Sequence, residues 1–185
     1  MEWTPDGETL LAGGQDADVL FINPETWEVE ARVETDRGRA ISDIDISRDL
    51  TGALASTESG LIYRVDLESL EVVGEPLAGA VSQFQNLAES PDGTLIAASG
   101  RDGALRIWDV ATGRLIAEKL EGAQVFDLTF IDNDTLLTYG GPAPLVWDLS
   151  TDRLISTACD LAGRTFTDAE RESFSDDLGG ADVCQ

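Results

Sequence analysis

Carboxylates are the reactive groups this chain carries in greatest number. Asp16/Asp18, Asp43/Asp45 and Asp132/Asp134 each set two of them two residues apart. On a strand that spacing puts both side chains on one face, where they could hold Ca²⁺. A calcium site needs a fuller loop of oxygen ligands than any pair has around it, so turn and solvent roles are expected and no metal ligand is assigned. The chain has no histidine. That removes the commonest general base, the commonest metal ligand and every Ser-His or Cys-His pairing. Its two cysteines, Cys159 and Cys184, cannot form a structural zinc site by themselves. No catalytic or cofactor-binding residue is assigned, no cofactor is expected, and the chain reads as a non-enzyme.

With 36 acidic against 12 basic residues the formal charge is −24. Nucleic acids and anionic membranes are bound mainly through Lys and Arg, so neither is an expected partner of this region. Most of the charge reads as a solvated face, and the acidic surface favours a basic protein or peptide partner. Lys119 is the single lysine beside eleven arginines, as in a GC-rich genome or a salt-adapted proteome. No apolar run approaches the ~20 residues that cross a bilayer, and residues 1–20 show no secretory leader. The 42% hydrophobic content of the 185 residues supports a packed core.

The elements that position these residues repeat. The segments TPDGETLLAGGQDADVLFIN, SRDLTGALASTESGLIYRVD and SPDGTLIAASGRDGALRIWD align without a gap. They close at Asn23, Asp66 and Asp109, 43 residues apart, and a shorter fourth copy closes at Asp148, 39 residues later. Within a copy, a Pro-Asp-Gly type turn leads into a short apolar strand such as Leu95-Ile96-Ala97. A second turn, Asp102-Gly103 in the third copy, feeds a strand rich in β-formers, Leu105–Trp108. Outer strands are predicted at Trp27–Val33, Leu70–Val73, Arg114–Glu118 and Arg153–Ser156. Alternation at Ala40–Ile46 and Val125–Phe130 predicts innermost strands.

Four strands in about 40–45 residues is the spacing of a propeller blade. These copies resemble the WD-repeat (WD40) β-propeller family, over roughly residues 3–157, with SPDGTLIAASGRDGALRIWD the most faithful. The resemblance implies an all-β propeller of about four four-stranded blades, at 1–36, 37–78, 79–120 and 121–157. It also implies that these are the C-terminal part of a seven-bladed propeller, completed by missing N-terminal blades or by self-association. Asp102, Gly103, Trp108, Asp109, Trp147 and Asp148 become the structural turn and tryptophan positions. Family members place the residues matching Asp102 and Trp108 in one buried network with a His and a hydroxyl. Here the His is missing from every copy and Ser99 lies near the hydroxyl position. Trp108 and Trp147 keep the aromatic, while Ile22 and Val65 stand in the matching places.

Residues 158–185 depart from the repeat. Thr167-Asp168-Ala169-Glu170 fits a capping box, with Thr167 and Glu170 as the reciprocal caps of a short helix near 168–175. This tail resembles one that follows WD repeats in bacterial, especially actinobacterial, proteins. The carrying residues are Ala158, Cys159, Leu161, Ala162, Gly163, Arg164, Thr167, Glu170 and Cys184; Thr165 and Arg171 stand where that family has Asn and Trp. Cys159 and Cys184 flank one element, and a disulfide between them is expected. The compartment is then extracytoplasmic, and otherwise cytoplasmic.

The resemblance implies a scaffold that binds proteins or peptides through its loops, or a sensor module of a larger bacterial regulatory or signalling protein. The alternative is a propeller enzyme, a lactonase-like hydrolase or dehydrogenase with a metal or cofactor at the central channel. The missing His and the lack of a convergent ligand set disfavour it.

Overall fold

Each aligned copy folds as an antiparallel meander. The computed structural model describes residues 1–35, 39–47, 50–79, 83–120 and 125–163. The chain divides into two compact units, Met1–Val146 and Trp147–Gln185. The first sheet holds β1 (Glu2–Trp3), β2 (Leu10–Gly13), β3 (Asp18–Ile22) and β4 (Val29–Glu34). The second holds β5 (Ile41–Ile46), β6 (Gly52–Thr57), β7 (Leu61–Asp66), β8 (Glu71–Val72) and β9 (Leu77–Ala78). The third holds β10 (Phe84–Glu89), β11 (Leu95–Gly100), β12 (Ala104–Asp109) and β13 (Arg114–Leu120), and the fourth β14 (Asp127–Phe130), β15 (Thr135–Tyr139) and β16 (Leu145–Asp148). Strands follow chain order in each sheet, with β8 and β9 sharing β7 as neighbour. The innermost strands stand side by side, β1 against β5, β5 against β10 and β10 against β14. This is the arrangement of propeller blades.

The core lies between sheets. One cluster joins Leu11, Val19, Phe21 and Val33 of the first sheet to Ile44, Ala53, Ala55 and Val65 of the second. Another joins Leu54, Ile62 and Leu77 of the second to Phe84, Leu87, Ile96 and Trp108 of the third. Burying such side chains contributes about 1.5–3 kcal/mol each. β10 escapes a pattern search because Phe84 and Leu87 are its only large apolar residues and stand three apart; the bulge between Phe84 and Asn86 recurs in β5 between Ile41 and Asp43.

The repeat is visible in hydrogen bonds as well as in letters. Thr4, Ser47 and Ser90 each accept, through the side-chain hydroxyl, the backbone N–H five residues on, at 2.9 Å in all three cases. These bonds close the hairpin between the first two strands of each sheet. The closing residue works at the next turn. Asn23 Oδ1 accepts from Glu25 and Thr26 N–H, Asp66 Oδ1 from Glu68 and Ser69 N–H, and Asp109 Oδ1 from Thr112 N–H and hydroxyl. Asp148 Oδ1 does the same with Ser150. Each copy ends in Asp or Asn because a short side chain with a free oxygen builds the turn to the outer strand.

Backbone conformation repeats too. Left-handed residues fall at Gly7, Leu50 and Gly93; at Ala17, Gly60 and Gly103; and at Trp27, Leu70 and Gly113. Each trio is spaced at the repeat length. Glycine meets such a position without strain, whereas a Cβ there costs about 1 kcal/mol or more. The third sheet has Gly at all three of its positions, the second only at its middle turn.

The predicted outer strand Arg153–Ser156 is not a strand. Thr151–Ala162 forms the helix α1, ended by Gly163 in the left-handed conformation. Among the described residues the fourth sheet therefore has three strands rather than four. Leu154, Ile155, Cys159 and Leu161 recur at helical rather than alternating spacing, and no β-rich run competes. The predicted helix near 168–175, its caps Thr167 and Glu170, and Cys184 lie outside the described residues.

Candidate interaction surface

The sequence-predicted turn residues and tryptophan of the third sheet separate into two arrangements. Asp102 accepts from Ala104 N–H, and Gly103 has φ +79°. Its carboxylate then takes both ends of the Arg106 guanidinium, at 3.1 and 2.7 Å, and Glu118 takes Arg106 Nη2 at 2.7 Å. Arg106 is buried. The hydrogen bond from Arg106 holds the Asp102 carboxyl below the ordinary aspartate range. Trp108 is fully buried, packs edge-on to Phe84 at a centroid distance of 5.7 Å, and donates from Nε1 to the Ala78 carbonyl at 3.1 Å. The single network implied by resemblance is thus replaced. An arginine takes over the Asp102 carboxylate, and the tryptophan ties the third sheet to the outer strand of the second. Ser99 accepts from Asn86 Nδ2 at 3.1 Å, within its own sheet.

Asp109 and Asp148 are turn builders, and hydrogen bonds from Thr112 and Ser150 hold their carboxyls low. Trp147 lies on β16, and Cys159 lies half-buried on α1.

The three acidic pairs have three different roles. Asp16 is exposed while Asp18 is buried and pairs with Arg32 at 2.6 Å. Asp132 accepts from Asp134 N–H in a turn. Asp43 and Asp45 alone among these pairs point together at the neighbouring sheet. Asp43 Oδ2 accepts from Leu87 N–H at 3.1 Å, and Asp45 accepts from Glu89 N–H. Burial pushes Asp43 up to about 6, against the pull of the Ile44 and Leu87 N–H groups. Burial likewise pushes Asp45 up to about 7; the Glu89 N–H opposes this, and the negative charges of Asp43, Glu2 and Glu89 add to it. The pair functions as an inter-sheet clasp, with its oxygens spent on backbone donors.

The exposed surface has a different focus. In an antiparallel meander, the turn after the first strand and the turn after the third meet at one end of the sheet. At that end of the first sheet stands Trp27, 67% exposed and left-handed at φ +60°. Its N–H donates to the Asn23 carbonyl at 2.8 Å, and Asn23 Nδ2 donates to Glu30 at 2.7 Å, so the loop is held from both sides. Glu25 and Glu28 flank the indole and are exposed. The second sheet has exposed Leu70 at the same repeat position, with Val73 exposed beyond it. Sequence reading passed over Trp27, taking it as the start of an outer strand. Aligning it with Gly113, a turn glycine, carries the signal that it lies in the loop.

Comparison with known proteins agrees with this architecture. Residues 80–109 match the family model described as WD domain, G-beta repeat. The transcription factor unc-37 of Caenorhabditis elegans is 32% identical over 79% of this chain and 24% of its own length. The small ribosomal subunit protein RACK1 of Medicago sativa is 31% identical over 43% of this chain and 25% of its own length. The chain thus spans about a quarter of each of these relatives. A chain in the crystal structure of the mitotic checkpoint complex superposes with a TM-score of 0.68 at 22% identity, over 81% of this chain and 47% of that one. It shares the fold. The repeat match, the relatives and the blade geometry make this chain similar to WD40 repeat proteins, with residues 80–109 carrying the matched repeat.

Proposed function

We propose that this chain is a protein-interaction scaffold, a binding or sensor region of a larger bacterial regulatory protein. Its docking surface is the rim where Trp27 and Leu70 emerge, and its partner is a basic protein segment. The observation that carries the reading is Trp27. A large aromatic side chain is held out in water, in a backbone conformation that disfavours any residue with a Cβ, on a loop braced by its own hydrogen bonds. Nothing in the core gains from that placement. Strain kept at an exposed aromatic is a feature of binding sites, and tryptophan is the residue most enriched among interface hot spots. Glu25 and Glu28 beside it, and the formal charge of −24, favour a cationic partner. Of the relatives, one is named a transcription factor and another a small ribosomal subunit protein.

The test is a fluorescence anisotropy titration of a labelled lysine- and arginine-rich peptide with the full chain. Trp27→Ala is expected to weaken binding at least ~10-fold, the effect of losing a hot spot. Glu25→Lys with Glu28→Lys is expected to weaken it further and to flatten its salt dependence. Binding that neither variant changes would place the contact elsewhere.

A further inference from the structure

A cavity of about 180 Å³ opens between the second and third sheets, at the same end of the sheets as Trp27 and Leu70. Its walls include Thr51 and Gly52 from the second sheet's first turn, Ser90 and Pro91 from the third sheet's, and Arg64 on β7. Arg64 stands where the repeat puts Phe21 in the first sheet and Ile107 in the third, both buried apolar residues. A guanidinium thus occupies a core column. It is half-buried, and its Nε is fully enclosed without a hydrogen-bond partner.

The other arginines described in ion pairs show what is missing here. Arg106 takes two carboxylates, Arg32 takes Asp18, and Arg153 takes Asp148. Arg64 makes no ion pair among the described residues, in a chain with three acidic residues for every basic one. Asp66, which also lines the cavity, gives Oδ1 to the Glu68 and Ser69 N–H groups. Arg106 Nε is likewise enclosed without a partner, so what sets Arg64 apart is that its guanidinium has no carboxylate paired with it among the described residues.

The neighbouring backbone leaves room for the guanidinium itself. The outer strand of the second sheet is interrupted between β8 and β9 by Val73-Gly74-Glu75-Pro76. Gly74 has φ +69°, and a Cβ there would come within 3.0 Å of Arg64 Nη2. A guanidinium is the side chain whose planar fork matches the two oxygens of a carboxylate.

We propose that this cavity is a carboxylate-binding site in which the Arg64 guanidinium grips one monoanionic carboxylate. Asp66 and Glu89 in its lining disfavour a dianion such as phosphate. The volume suits a small acid or a single acidic side chain or chain terminus. The site stands on Arg64 and its cavity, independently of whether the rim binds a basic partner.

The experiment is a ¹⁵N-NMR titration of the full chain that follows the Arg64 Nε–H resonance and the amides of Gly52 and Gly74. The probes are acetate, a short peptide with one aspartate among alanines, and phosphate, each against sodium chloride at equal ionic strength. Acetate is expected to shift Arg64 Nε–H saturably with a dissociation constant of about 10–100 mM, the range of one charge-assisted contact. A tighter response to the peptide identifies a partner side chain as the source of the carboxylate; an equal one identifies a free acid. Arg64→Met, which restores an apolar residue to the column, should fold and lose the response at Gly52 and Gly74. Arg64→Lys, which keeps the charge without the fork, should weaken it at least several-fold and covers the case in which the Met variant fails to fold. No specific shift with acetate or peptide, a preference for phosphate, or amide shifts unchanged in the variants would overturn the assignment.

Discussion

The second and third sheets share one meander and one register of repeats, yet they treat the same positions differently. The third has Gly93, Gly103 and Gly113 at its left-handed turns, a buried Trp108, a paired Arg106 and an unbroken outer strand. The second has Leu50 and Leu70 at two of those turns, Val65 in place of the tryptophan, an Arg64 with no ion pair among the described residues and an outer strand split in two. Its middle turn, at the opposite end, keeps Gly60. The departures from local consistency cluster at one end of the sheet. Where local rules are broken on one side only, function is the usual reason. On the proposed function, the third sheet serves as the scaffold and the second as the part whose rim is shaped for contact.

The largest effect expected from breaking this comparison is in the third sheet. Trp108→Ala should cost about 3–5 kcal/mol, because it empties a filled inter-sheet site and frees the Ala78 carbonyl. Urea unfolding of both proteins measures it; a loss under ~1 kcal/mol would mean that Trp108 does not hold the two sheets together.

Next comes the clasp between them. Folded-state values of about 6 for Asp43 and about 7 for Asp45 lie above the ordinary aspartate value, so the folded protein favours their protonated forms. Their contribution is then fully present below about pH 4 and is lost as pH rises through 6 and 7. Asp45→Asn keeps an oxygen for the Glu89 N–H and cannot ionise. It should therefore gain stability over wild type as pH rises from 5 to 8, by on the order of 2 kcal/mol. Equal pH slopes in the two proteins would show that the clasp does not titrate in this range.

The smallest effect sharpens the comparison most. Leu50→Gly and Leu70→Gly bring the second sheet to the pattern of the third. Each should leave stability unchanged or raise it by about 1 kcal/mol, less whatever flexibility the unfolded chain gains. A loss above ~1 kcal/mol at Leu70, which is exposed, would show that its side chain serves the fold rather than a partner.

Much of the scaffold was legible in the sequence. The repeat length, the closing Asn23, Asp66, Asp109 and Asp148, and the turn at Asp102-Gly103 all follow from local chemistry that every copy must satisfy. What escaped was set by departures from the repeat. β10 is hidden because it has only Phe84 and Leu87 as large apolar residues, whereas β5, with the same bulge, has Ile41, Ile44 and Ile46. Extending the repeat by one element predicts a strand at Arg153–Ser156, where the chain forms the helix Thr151–Ala162. Arg64, Trp27 and Leu70 looked ordinary among their chain neighbours, since only their column in the repeat, Phe21 and Ile107 or Gly113, marks them as out of place. Which carboxylates end up buried is likewise decided by sheet-to-sheet contact, so Asp43/Asp45 could not be told from Asp132/Asp134 by spacing.

The proposed contact lies at the end of the first two sheets where Trp27 and Leu70 emerge. The most direct measurement is an amide chemical-shift map of the full chain titrated with a lysine- and arginine-rich peptide. The account predicts shifts concentrated at Asn23–Glu28 and Asp66–Val73. Shifts concentrated at the opposite turns, around Asp16, Ser59 and Asp102, or no shifts at all, would contradict it.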